Sequence, residues 1–105
     1  EAKDALKAVG EAVKANAAMG IFAMLLVERL RRLLMLRYAP ETGRELIADL
    51  TDHDREMLEA FAKEKDSKVN SETLRKFILA SIETARAPLP QLPLELAIME
   101  FTGNV

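Results

Sequence analysis

The chain has 105 residues, half of them hydrophobic, and 15 Lys and Arg against 17 Asp and Glu give it a net charge of −2. That is about one domain's worth of chain with enough apolar content for a core, and it lacks the basic excess that binding a phosphate backbone calls for. The absence of cysteine excludes a disulfide framework and a thiolate metal site, and it fits a reducing compartment. The longest apolar run, Ile21 to Val27, falls far short of the ~20 residues a membrane span needs, and no charged leader precedes it. The expectation is a cytoplasmic protein with no membrane partner. Because it begins at Glu1 without a methionine, the chain is expected to be a piece of a longer protein.

In chain order, Leu6, Val9 and Val13 recur at i, i+3 and i+7 beside Ala5, Ala8 and Ala12, opposite Lys7, Glu11 and Lys14. This pattern predicts an amphipathic helix of about four turns. Asn16 and Gly20 bracket the expected break, since both tolerate the left-handed conformation that ends helices. A second helix is predicted to run to Tyr38 and to stop before Pro40. Its only polar strip is Glu28, Arg31 and Arg32, with Arg29 and Arg37 to either side, so it is expected at the centre of a bundle.

Beyond Pro40, residues 41 to 50 predict a brief helix with Leu46, Ile47 and Leu50 facing in. Thr51 is a suitable N-cap for the next helix, which places Asp52 and Asp54 in the first turn and Met57, Leu58 and Phe61 on the inner face. A lysine-rich connector, 63 to 68, leads to a helix capped by Asn70 or Ser71. Its expected buried stripe is Leu74, Phe77, Ile78, Ile82 and Ala85, and Pro88 ends it. A last helix starts with Pro93 at its first position and stops near Gly103. The whole predicts an all-α, compact bundle of five to six helices forming a single domain over 1–105.

The catalytic constellations do not assemble from these residues. The serines are Ser67, Ser71 and Ser81, none in a nucleophile elbow, and His53 is the sole histidine. Asp52, His53 and Asp54 are successive helical residues that point about 100° apart, so they read as a helix start and not as ligands of one ion. Glu56 and Glu59 share a face without the histidine that a di-metal helix motif uses. The glycines at 10, 20, 43 and 103 are too dispersed for a phosphate loop. The basic run Arg29, Arg31, Arg32 and Arg37 has no interleaved aromatics, so direct nucleic-acid contact is not expected.

One candidate surface remains. Met24, Glu28, Arg31, Arg32 and Met35 fall on one side of the second helix at i, i+4, i+7, i+8 and i+11, two pliable apolar side chains flanking an ionic strip. Such a face suits contact with another chain, since Met and Arg are enriched at interfaces, or a neighbouring helix of the same domain covers both methionines.

The chain closes on "ARAPLPQLPLELAIMEF", in which Pro88 and Pro90 stiffen the approach and Leu94, Ala97, Ile98 and Phe101 provide an inner face. Glu95, beside them, is either a helix-dipole contact or a buried charge that needs a cation such as Arg86 or Arg29. Together with "IFAMLLVERLRRLLMLR", this ending resembles the third domain of the gamma/tau subunit of bacterial DNA polymerase III, the clamp-loader ATPase. Pro93, Leu94, Glu95, Leu96 and Ala97 match the family's "Pro-x-Leu-Glu-Leu-Ala" pattern, and the resemblance spans almost the whole chain. It implies a collar domain excised from a longer AAA+ ATPase subunit, packing with other clamp-loader subunits and with itself in a ring. It also implies no catalysis and no cofactor in this fragment, ATP and magnesium belonging to the absent ATPase domains. From the residues alone, a stand-alone helical regulatory or small-ligand-binding domain and a nucleic-acid-binding domain using Arg29 to Arg37 stand as alternatives.

Overall fold

The computed structural model describes residues 2–14, 18–64 and 67–103, and among these it is all-α, with no strand. Six helices follow in order: α1 Ala2–Lys14, α2 Met19–Tyr38, α3 Pro40–Leu46, α4 Asp52–Lys63, α5 Ser71–Glu83 and α6 Leu92–Thr102. They gather into two units, the first made of 1–27 and 75–105, the second of 28–74.

In the first unit α1 packs on α6. Val9 is buried on α1, Met19 and Ala23 on α2, and Pro93, Leu94, Ala97 and Ile98 on α6. Gly20 lies inside the first turn of α2 and so does not end a helix, while Asn16 falls outside the described residues. Helix α6 begins one residue before Pro93 and ends on Gly103 at φ 76°, the left-handed conformation that costs glycine nothing.

The second unit is built around Leu33, Leu36, Ile47 and Leu58, with Leu50, Ala62 and Val69 packed against them. Thr51 caps α4 as predicted: its hydroxyl accepts from the Asp54 N–H at 3.2 Å. Asn70 caps α5, accepting from Thr73 N–H at 3.0 Å while Thr73 Oγ1 accepts from Asn70 N–H at 3.2 Å. This is a capping box with threonine where Glu or Gln is usual. Helix α3 stops at Leu46, and Ile47, 1% exposed, enters the core from the turn that follows.

Two predicted faces are rotated in the structure. On α4 only Leu58 of the expected trio is buried; Met57 and Phe61 are 45% and 49% exposed, and Ala62 takes the inner position one turn after Leu58. On α5 and the turn that follows it the buried stripe is Thr73, Phe77, Ala80 and Thr84, whereas Ile78, Ile82 and Ala85 are exposed. Hydropathy ranks threonine low, yet here both hydroxyls are satisfied locally. That of Thr84 donates to the Ala80 carbonyl at 2.8 Å, and that of Thr73 lies in the Asn70 cap. A hydrogen-bonded threonine buries at little cost. Helix α5 also ends early, in a turn at 84–86, ahead of Pro88.

A close backbone approach in the second unit is at Gly43. A Cβ built there would lie 2.6 Å from the Leu36 Cα and N and 2.8 Å from the Met35 carbonyl carbon, so α3 crosses the end of α2 backbone against backbone. Close by, the Arg37 guanidinium donates to three main-chain carbonyls: Val69 at 2.7 Å, Phe61 at 3.3 Å and Ala62 at 3.4 Å. Phe61 and Ala62 belong to the last turn of α4, whose carbonyls carry the negative end of the helix dipole, and that of Phe61 also accepts from the Glu64 N–H at 3.2 Å.

Gly43→Ala is expected to lower stability by about 1–3 kcal/mol, because backbone cannot give way as a side-chain tip would. Gly10→Ala in α1, where a Cβ meets nothing within 4 Å, is expected to raise stability by up to ~1 kcal/mol. Urea unfolding of the two variants checks the opposite signs. The same measurement on Arg37→Lys is expected to show a loss of about 1–3 kcal/mol, since one ammonium cannot replace a fork that reaches three carbonyls.

Candidate functional site

The strip predicted on α2 forms around Glu28. Its two carboxylate oxygens lie 3.6 Å from Arg31 Nη1 and 3.7 Å from Arg32 Nη2, ion pairs at i+3 and i+4 that are too long to be hydrogen bonds. Arg32 is the more enclosed of the two cations, and its Nε has no hydrogen-bond partner among the described residues. Arg29, beside the strip, turns to α4 and meets Asp54 at 3.2 Å. Pairs this exposed contribute roughly 0–1 kcal/mol each, so they set charge placement more than stability. Of the two methionines, Met24 stands open at 57% exposure and Met35 is half-buried.

The closing helix is apolar on two sides. Pro93, Leu94, Ala97 and Ile98 face inward, while Leu92, Leu96 and Met99 are exposed, so Leu96 alone of the matched apolar residues points outward. Glu95 is half-buried in the first turn and makes no ion pair among the described residues, neither with Arg86 nor with Arg29. That position favours a carboxylate through the N-terminal dipole. Between α5 and α6 runs a groove of about 350 Å³ lined by Leu79, Ala80, Pro93 and Leu96, with Lys76, Glu83 and Glu100 at hand. Most of the large apolar side chains left exposed belong to the first unit, among them Ile21 and Leu25 with Met24 on α2, and Leu79 and Ile82 on α5.

The remaining polar residues have local roles. His53 is exposed in the first turn of α4, and no group of three metal-capable side chains occurs among the described residues. The Ser81 hydroxyl donates to the Ile78 carbonyl at 2.6 Å, and that of Ser67 accepts from Val69 N–H at 3.3 Å. Arg55 closes the turn before α4 by donating to the carbonyls of Ala48 and Leu50 and to Asp52. Among the described residues no helix is long and apolar enough to cross a membrane. The Arg37 clasp and the Gly43 crossing escaped sequence reasoning. The available signals were an arginine in the last turn of an apolar helix and a glycine one turn into a helix that opens on proline.

The chain matches no family profile, no curated protein and no solved structure.

Replacing Glu95 by Gln removes a dipole contact and no ion pair, so a stability loss below about 1 kcal/mol is expected in urea unfolding. A loss of several kcal/mol would instead reveal a buried charge pair.

Proposed function

We propose that this chain is a structural oligomerisation domain of the bacterial DNA polymerase III clamp loader, of the kind that forms the third domain of the gamma/tau subunit. In this role it holds ATPase modules in a ring while they load sliding clamps during DNA replication. Support comes from the resemblance of the closing segment, Pro93 to Ala97, and from the all-α architecture. The observation that carries the proposal is the double-sided character of α6. Its inner side is filled by its own unit, yet Leu92, Leu96 and Met99 still face outward, with Leu79 of α5 beside Leu96 across the groove. Covering such surface with another chain is favourable by roughly 25 cal/mol per Å² of apolar area removed from water. Contiguous apolar surface of this kind marks protein contact.

The partners in this reading are other clamp-loader subunits and further copies of the chain. Nucleotide binding and hydrolysis reside in other domains of the parent ATPase subunit, and the fragment performs no chemistry of its own. A cytoplasmic setting goes with this role.

Light scattering over a wide concentration range tests the proposal. The expected result is a discrete oligomer that grows with concentration. Leu96→Glu and Met24→Glu are expected to return it to the monomer mass with the helical circular dichroism unchanged, since both side chains are exposed. An oligomer that survives both substitutions, or a strict monomer at every concentration, would overturn self-association through these faces.

A further inference from the structure

Three adjoining recesses in the second unit run over the end of α2, the start of α3 and the last turn of α4. The central one, about 320 Å³, is lined by the apolar Leu36, Pro40 and Ala62 and by the charged Arg37, Arg44, Lys63 and Glu59. It shares Arg37, Ala62 and Lys63 with a recess that reaches Tyr38 and Glu64. On its other side it shares Pro40 and Arg44 with one that reaches Glu41 and Thr42.

Three cations against one carboxylate leave the centre of this groove positive. Neither Arg44 nor Lys63 pairs with an acidic side chain among the described residues. The backbone carries both to the groove: Arg44 follows Gly43, where α3 is pressed on the α2 backbone, and Lys63 ends α4, whose last carbonyls take the Arg37 guanidinium. Arg37 itself uses three of its five N–H donors on those carbonyls and on Val69, so two remain. A guanidinium already immobilised loses little entropy when it meets a ligand.

We propose that this groove binds a short segment of a partner protein in which one Asp or Glu stands beside an aliphatic residue. The carboxylate lies between Arg44 and Lys63, where charge-assisted hydrogen bonds form, and the aliphatic side chain covers Leu36, Pro40 and Ala62. Charge distribution selects this occupant over a nucleic-acid strand. The positive surplus is confined to the centre, Glu41 and Glu64 border it at the two ends, and successive phosphates of a polyanion would have to lie against them. The inference is independent of the clamp-loader reading.

The probe is the acetylated, amidated heptapeptide Gly-Ser-Leu-Asp-Leu-Ser-Gly, titrated to millimolar concentration into the isotope-labelled chain and followed by NMR. Shifts are expected on the Leu36 methyls and on the amides of Arg44, Ala62 and Lys63. The same peptide with Asn for Asp is expected to bind about tenfold more weakly, as is the parent peptide to Arg44→Glu or, should that variant fold poorly, to Lys63→Glu. No shifts at millimolar peptide, shifts centred elsewhere, or equal binding of the Asn peptide would overturn the proposal. So would tighter binding of an oligothymidylate that shifts the same residues, which would assign the groove to single-stranded nucleic acid.

Discussion

The last carbonyl oxygens of a helix have no donor four residues on, and at the end of α4 a side chain from another helix donates to two of them, Phe61 also accepting the Glu64 N–H. Arg37 stands in the last turn of α2 and reaches the carbonyls of Phe61 and Ala62 and, across the connector, that of Val69 just before the Asn70 cap. One planar fork thereby fixes the end of α2, the end of α4 and the start of α5 with respect to each other. The charge also lies where the α4 dipole is negative, so the electrostatic and hydrogen-bonding terms act in the same direction. The hydrophobic core of the unit, Leu33, Leu36, Ile47 and Leu58, then packs within a frame whose polar ends are satisfied.

Gly43 works with this frame by steric means. The missing side chain lets α3 lie on the backbone at Met35 and Leu36, which draws Ile47 into the core although it lies beyond the helix that introduces it. The same crossing sets Arg44 at the edge of the groove. The basic groove is thus a by-product of how the second unit closes: Arg37 and Gly43 are required for packing, and their neighbours Arg44 and Lys63 are left facing the solvent side of the joint. The first unit offers surface of a different character. Its core takes in Val9, Met19, Phe77, Leu94 and Ile98 with the small Ala23, Ala80 and Ala97, yet other large apolar side chains such as Leu25, Leu79, Ile82 and Leu96 stay outside. The proposed scaffold role depends on this uncovered apolar surface and the proposed peptide groove on charge, so the two can operate together on one chain.

The helix order, the breaks at Pro40 and before α6, the Thr51 cap, a cap at Asn70 or Ser71, the pairing of Glu28 with Arg31 and Arg32, and the inner face of α6 at Leu94, Ala97 and Ile98 were legible in the residues. Each depends on interactions within about four positions of chain, through proline's fixed φ, a side chain reaching a nearby N–H, or the 3.6-residue period. Periodicity failed where the face that packs is not the more apolar one. On α5, Ile78 and Ile82 outrank Thr73 and Thr84 on any apolar scale, but the threonines satisfy their hydroxyls within one turn and take the inner side. On α4, Met57 and Phe61 yielded to the smaller Ala62 for a similar reason: what fits against Leu36 and Leu58 is decided by shape.

By itself, then, the sequence determined the local structure of this protein: which segments are helical, how they start and stop, and which charges can pair along one helix. The tertiary structure decided which face of α4 and α5 is buried, that Gly43 is a crossing point, that Arg37 clasps another helix, and that Arg44 and Lys63 line one groove. The physical reason is the range of the interactions. Caps, turns and i+4 pairs are written in neighbouring residues, whereas Arg37 meets Phe61, Ala62 and Val69 across 24, 25 and 32 positions of chain. Contacts at that separation depend on the mutual fit of several helices and leave no periodic mark in any one of them.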